Sequence, residues 1–193
     1  MKQVSRGAET NGHQVTYSLV MDSPLGRLGI CLQDEAVCRI DYLPPGTPCQ
    51  HSDSAAARRA VDELQHYFAD TRHLFDLPVV MQGTPFQQRV WQALRDIPAG
   101  ETRSYGQLAA QLGSGARAVG NACRHNPVSI VVPCHRVVGA SGLGGYSGHT
   151  QGPVLRRKSW LLAHEGVLPG DLKNDRSAPI NRKHSEFARS SHA

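Results

Sequence analysis

The residues with the greatest chemical capacity in this chain are Cys134 and its neighbour His135. A short apolar run from Ser129 to Val132 leads into Pro133-Cys134-His135-Arg136, so the thiol stands where a buried segment meets a basic pair. A cysteine is nucleophilic only as its thiolate, which needs a base or a positive potential close by. His135 is the obvious base, yet adjacent side chains on extended backbone point to opposite sides. Cooperation between the two therefore requires a bridging water or a tight turn. An acid that holds the histidine in one tautomer would complete a Cys-His-acid relay. Residues 83–166 hold only Asp96, Glu101 and Glu165 as acids, and Glu165, at the end of the last expected helix, is the one selected. Taken alone, a Cys-His dipeptide is more often two packed side chains than a catalytic pair. The remaining cysteines, at 31, 38, 49 and 123, form no CxxC pair, which argues against a disulfide framework or a zinc finger and for a reducing compartment, expected to be the cytoplasm.

The elements that must position this dyad are legible in the hydrophobic pattern. Val15 to Met21 alternates apolar and polar, Leu28, Ile30 and Leu32 point one way, and Cys38, Ile40 and Tyr42 form one face of a third strand, with turns at Ser23-Pro24-Leu25-Gly26 and Gln33-Asp34-Glu35. A helix is expected from about Ser54 to Phe68, with Ala57, Val61, Leu64 and Phe68 on its apolar stripe, and a further strand over Phe75 to Met81. From Gly83 the texture changes to short helices. Thr84-Pro85 with Gln87, and Ser104 with Gln107, are capping boxes. The first opens a helix carrying Phe86, Val90 and Leu94, with Trp91 beside them. The second carries Leu108, Ala109 and Leu112 and closes at Gly113. A third helix runs from about Ala116 to His125 and stops at Asn126-Pro127, so that two short helices meet across a glycine turn in a helix-turn-helix pattern. A glycine-rich loop spans Gly139 to Gly152, and a last helix covers roughly Val154 to His164. The fold class expected is α+β: a small N-terminal α/β domain over 1–82, a mainly helical domain with the helix-turn-helix over 83–166, and a mobile tail over 167–193.

Charge divides along the same line. Residues 1–82 carry seven Lys/Arg against ten Asp/Glu, whereas residues 83–166 carry nine against three, which makes the second segment a candidate for binding a polyanion. No apolar run is long enough to span a bilayer, and the polar start, Met1 to Gln14, lacks the apolar stretch of a secretory signal.

Pro133-Cys134-His135-Arg136-Val137 closely resembles the active-site signature of the O6-alkylguanine-DNA alkyltransferases, also called methylated-DNA-protein-cysteine methyltransferases. Ser104-Tyr105-Gly106-Gln107-Leu108-Ala109, Arg117-Ala118-Val119-Gly120, Asn126-Pro127, Gly145-Tyr146 and Leu161-Leu162-Ala163-His164-Glu165-Gly166 follow in the family's order, and Asp22-Ser23-Pro24-Leu25-Gly26 is similar to the start of its N-terminal domain. The likeness covers about residues 15–166. It implies direct-reversal DNA repair, in which an alkyl group passes from the O6 oxygen of guanine irreversibly to Cys134, once per molecule. It further implies that His135 acts as base through a water and Glu165 orients it. Asn126 braces the turn carrying the cysteine, and Tyr105 donates a proton to the leaving guanine and helps rotate the nucleotide. Arg117 fills the gap left by the flipped base, with Ala118, Gly120 and Arg124 on the same DNA-contacting helix. Val138, Gly145, Tyr146 and Ser147 resemble the lining of the guanine pocket. The implied partner is double-stranded DNA containing O6-alkylguanine, bound by a monomer without membrane, cofactor or metal, in the cytoplasm and, in a bacterium, near the nucleoid.

The chain departs from the family pattern in a longer segment from Tyr146 to Trp160, which contains His149-Thr150-Gln151-Gly152-Pro153 and bears on pocket shape. An N-terminal zinc site found in some relatives has no matching ligands here. Arg156, Arg157 and Lys158 follow the loop as a run that is either a solvated helix face or a contact to the DNA backbone. Three other readings compete with the repair reading. A lesion-binding module without chemistry would lack Cys134. A cysteine hydrolase would not explain the helix pair with Arg117. A transcription regulator would need a sensor or dimerisation segment.

Overall fold

The computed structural model describes residues 15–167. Three antiparallel strands come first: β1 (Leu19–Met21), β2 (Leu28–Gln33) and β3 (Ala36–Tyr42), in the order β1-β2-β3. Asp34 and Glu35 both take positive φ, 49° and 63°, and close β2 onto β3 as a two-residue hairpin whose twist suits the strands. The ladder runs Leu28↔Tyr42, Ile30↔Ile40 and Cys31↔Arg39, then resumes at Leu32↔Val37, which leaves Cys38 as an extra residue on β3. That bulge resets the alternation. Val37 is buried together with Ile40, and Cys38, expected to share the Ile40 face, is only half-buried.

Helix α1 (Ala55–Ala69) begins where Ser54 Oγ accepts the Ala57 amide at 3.1 Å. Its buried stripe is Ala57, Ala60, Leu64 and Tyr67. Val61 and Phe68, expected on that stripe, lie at its margins because the helix is rotated by about one position relative to the sequence reading. No strand forms over Phe75 to Met81; Val37 instead makes a single bridge, donating to Pro78 O and accepting from Val80 N.

Helix α2 (Pro85–Arg95) starts with the Thr84/Gln87 capping box and buries Val90, Trp91, Ala93 and Leu94. The Trp91 indole donates to Ala122 O at 2.9 Å and ties α2 to α4 (Ala116–Arg124). A two-residue strand, β4 (Arg103–Ser104), pairs in parallel with β5 (Val137–Val138), through Arg103↔Val137 and Ser104↔Val138. Ser104 then caps α3 (Tyr105–Gln111), so this short pairing sets Tyr105 beside the segment that carries Cys134. Helices α3 and α4 pack together across a turn in which Gly113 has φ +62°. The last helix, α5, is Pro153–His164.

The run from Ser129 to Val132 is not a strand. Ile130 has φ +78°, and Val132 N donates to Val128 O, so the chain folds back on itself there. The amide of Ile40 donates to Pro127 O at 2.9 Å, joining the sheet to this segment. One buried cluster runs from Leu19, Ile30 and Ile40 through Leu64 and Tyr67 to Trp91, Val119, Cys134 and Leu161. The architecture is α+β. Among the described residues no helix is long and apolar enough to cross a membrane. The expected mobile tail over 167–193 and the polar start before Val15 lie outside the described residues, apart from Val167, which is buried.

Candidate active site

Cys134 opens a single 3-10 turn, Cys134–Arg136, and is 3% exposed. The backbone is therefore not extended at the dyad, and the geometry is the tight turn that adjacency required. Asn126 holds this turn from the end of α4. Its amide nitrogen donates to Val132 O at 2.8 Å and lies 3.3 Å from Cys134 Sγ, while its carbonyl oxygen accepts from Val128 N at 3.1 Å. Burial pushes the Cys134 thiol pKa up, and the Asn126 amide, the Lys158 charge and the Tyr146 hydroxyl pull it down. Each of these three groups stabilises a thiolate more than a thiol.

Behind the thiol lies a buried charge network. His135 is fully buried, and its Nε2 is 2.9 Å from Glu165 Oε1. Burial pushes the His135 pKa below its ordinary value, against the opposite pull of Glu165. A neutral ring that donates from Nε2 to a carboxylate carries its lone pair on Nδ1. Nδ1 is also the buried side-chain polar atom that has no partner among the described residues. Such an atom is costly unless something transient uses it. Glu165, the residue that caps α5, takes both of its oxygens into use: Arg136 Nε donates to Oε2 at 2.9 Å and Arg136 Nη2 to Oε1 at 2.8 Å, and the Tyr67 hydroxyl donates to Oε1 at 2.8 Å. His135 and Arg136 together hold the Glu165 carboxyl far below the usual carboxylate range, despite its burial.

In front of the thiol is a cavity of about 360 Å³. Its walls come from α3 and α4 (Tyr105, Arg117, Gly120, Cys123, Arg124) and from the loop before α5 (Gly145 to Thr150), with Cys134 among them. The Tyr105 hydroxyl donates to Gly145 O at 3.1 Å. Gly120 faces the Tyr105 ring: a Cβ there would meet the ring at 3.8 Å, and any larger group would press on it. Arg117 and Arg124 are exposed at the mouth, and Gly148 packs directly against the Arg124 guanidinium. Tyr146 is buried, with its hydroxyl 3.4 Å from that of Tyr42 on β3. Ser147 lies on the wall with φ +47°. The structure thus gathers Cys134, Tyr105, Arg117, Gly120, Arg124, Gly145, Tyr146 and Ser147 around one space, with Asn126, His135 and Glu165 behind the thiol. One of the residues expected to line the pocket lies elsewhere. The Val138 side chain packs with Leu143, Leu162 and Val167, away from the cavity, and Ala118 is exposed on α4. No group of three or more His, Cys, Asp or Glu placed to hold a metal occurs among the described residues.

The run Arg156-Arg157-Lys158 is not a uniform face. Lys158 is fully buried, and its ammonium donates to Val137 O and Leu143 O at 2.6 Å and to Gly145 O at 2.9 Å. Burial pushes its pKa down to about 8, and three carbonyl acceptors match the three donors of the charged form. Arg157 lies over the Tyr42 ring, 4.3 Å from its centroid, and only Arg156 is exposed. Sequence reading missed Lys158, Arg136, Tyr67 and Tyr42. For Lys158 a signal was present: 158, 161, 162 and 165 share one helical stripe, so Lys158 lies on the buried face with Leu161, Leu162 and Glu165.

A buried cysteine at the floor of a cavity, braced by an amide and backed by a His-carboxylate pair, defines a protein that does chemistry through a thiol. The model of the 6-O-methylguanine DNA methyltransferase DNA-binding domain matches residues 85–167. The methylated-DNA-protein-cysteine methyltransferase of Mycobacterium bovis is 43% identical over 159 residues, covering 79% of this chain and 94% of that protein. The constitutive enzyme of that name from Bacillus subtilis is 41% identical over 145 residues, covering 69% and 88%. Among solved structures, Mycobacterium tuberculosis OGT in complex with DNA aligns with a TM-score of 0.63 at 44% identity, covering 79% of this chain and 95% of that one. The chain belongs to the methylated-DNA-protein-cysteine methyltransferase family.

Proposed function

We propose that this protein reverses alkylation damage directly, moving an alkyl group from O6 of guanine in double-stranded DNA to Cys134. The observation that carries the reading is Cys134 on the floor of a cavity whose mouth is formed by α3 and α4, with a complete His135-Glu165 pair behind it. The division at residue 82/83 separates an acidic supporting domain from the basic domain that does the work, and α3 with α4 is its helix-turn-helix. Arg117, at the start of α4, enters the duplex where the damaged nucleotide leaves it, supported by Ala118, Gly120 and Arg124. A base inside the stack cannot reach a buried thiol, so the nucleotide must be flipped out, at a cost of a few kcal/mol that an inserted side chain partly offsets.

In the cavity, a water between Cys134 Sγ and His135 Nδ1 carries the thiol proton to the ring, and Glu165 stabilises the imidazolium. The thiolate attacks the alkyl carbon. The S–C bond forms as the C–O6 bond breaks, and the guanine anion is neutralised by a proton delivered from Tyr105, which is reprotonated from solvent as the His135 imidazolium gives up its own proton. The product is a thioether, which no simple hydrolysis reverses, so each molecule acts once. Intact-mass measurement after mixing with excess O6-methylguanine duplex should show one added methyl per protein, mapped to Cys134, and none in Cys134→Ala. Repeated turnover would point instead to a hydrolase, and label on another cysteine would remove Cys134 from its role.

A further inference from the structure

The N-terminal half carries no expected site, yet its helix α1 reaches the centre of the buried network. Tyr67 is 0% exposed, and its hydroxyl donates to Glu165 Oε1 at 2.8 Å, the same oxygen that faces His135 Nε2. The backbone carbonyl of Tyr67 also lies 3.1 Å from His164 Nε2, so residue 67 is tied both to Glu165 and to its neighbour. The ring is clamped by Phe68, Phe75 and His164, with centroids 5.2–5.5 Å away. A ring held this firmly presents its hydroxyl in one direction. We propose that Tyr67 is a positioning residue for alkyl transfer, which sets the orientation and basicity of His135 by sharing Glu165 Oε1 with it. The inference rests on the repair reading given above.

The groups whose charge or hydrogen bonds bear on His135 are Arg136 from its own turn, Lys158 from α5, Glu165 from its cap, and Tyr67 from α1 by way of the shared oxygen. Arg136 already binds both oxygens of Glu165, so the charge left for His135 depends on what else Oε1 accepts. A hydrogen bond donated to a carboxylate withdraws negative charge from its other partners. Removing the Tyr67 hydroxyl returns that charge to His135, raises its pKa and leaves Arg136 alone to orient the carboxylate toward it. Burial raises the Tyr67 pKa well above the ordinary phenol value, so the hydroxyl stays a donor throughout the working range.

The test compares the full chain with Tyr67→Phe, which keeps the ring, in single-turnover transfer from free O6-benzylguanine and from methylated duplex. The expected result is a loss of roughly three- to tenfold, equal on both substrates, since Tyr67 acts on the base and not on DNA. The acidic limb of the pH-rate profile should move up by about half a unit. In a His135→Gln background Tyr67→Phe should make no further difference. A merely structural role would lower the melting temperature without moving the limb, and would multiply with His135→Gln; either result, or an unchanged rate, overturns the proposal. If Tyr67→Phe does not fold, 3-fluorotyrosine at position 67 keeps ring and hydroxyl while making a stronger donor, and should move the limb downward; an unmoved or raised limb overturns the proposal. Unaltered protein is the control. If it transfers no alkyl group to Cys134, the repair reading fails and this inference with it.

Discussion

Three residues at the core of the site, His135, Arg136 and Tyr67, share the carboxylate of a fourth, Glu165, which accepts hydrogen bonds from their buried polar groups. A buried ion pair contributes little relative to an apolar pair, but breaking one partner leaves the other charge uncompensated. Glu165→Gln strands Arg136, whose side chain is only 11% exposed. That substitution should cost about 3 kcal/mol or more at pH 7, measured by urea unfolding. The pH dependence has a definite sign. The folded pKa of Glu165 lies below its unfolded value near 4.5, so its stabilisation is present above that pH and is lost as pH falls further. His135, whose folded pKa is also lowered, withdraws stability in the same direction, beginning below its ordinary value of 6.5. The unaltered protein should therefore lose stability on acidification from about pH 6.5 downward, and the gap to Glu165→Gln should close as pH drops below 4.5. A gap that stays constant would show that the carboxylate is not ionised in the folded state.

At the scale of elements, two pairs of segments act as brackets for the cavity. Helix α4 presents Arg117 at its exposed start and Asn126 just beyond its end, so one helix serves both the cavity mouth and the thiol. Arg117→Ala should weaken repair of duplex DNA by roughly tenfold while sparing transfer from free O6-benzylguanine, since only the duplex needs an extrahelical base. Equal losses on both substrates would place Arg117 in folding or chemistry. On the other side, Lys158 from α5 grips the loop at Val137, Leu143 and Gly145, and Gly145 O also accepts from Tyr105. Lys158→Met removes all three donors but keeps the stem. It should slow transfer from both substrates and leave the salt dependence of binding to undamaged duplex unchanged, because a buried ammonium releases no counterions. Arg156→Ala, by contrast, should reduce the slope of log affinity against log salt by about 1 if Arg156 meets a phosphate. A changed slope in Lys158→Met would mean that the ammonium leaves its carbonyls on DNA.

For the whole molecule, the decisive fact is that one apolar cluster joins the sheet and α1 to the helices around Cys134. The boundary proposed at residue 82/83 is thus compatible with a shared interior. Leu64, fully buried on α1, belongs to that cluster, and Leu64→Ala should cost about 2–5 kcal/mol. Its effect should appear equally in Trp91 fluorescence and in far-ultraviolet circular dichroism, as a single shifted transition. Two separated transitions would mean that the halves unfold independently despite the common core.

Much of this organisation was legible in one dimension. The capping boxes at Thr84/Gln87 and Ser104/Gln107 are local chemistry, complete within four residues, and they place α2 and α3 without help from the rest of the chain. The string around Cys134, with Tyr105, Arg117, Asn126 and Glu165 in order, marked the residues that come together. What tertiary structure alone decided lies where distant segments meet. The Cys38 bulge turned Val37 inward, a single bridge to Val37 replaced the strand over 75–81, and at Ile130 the chain folded back so that Val132 N reaches Val128 O. Lys158 read as part of a basic run, since a charge in sequence carries no sign of three carbonyls brought from as far as 21 residues away. Tyr67 is 98 residues from Glu165, and no local pattern encodes a hydrogen bond across that span. Periodicity determines which face of an element is buried, but what that face meets is settled only when the elements pack.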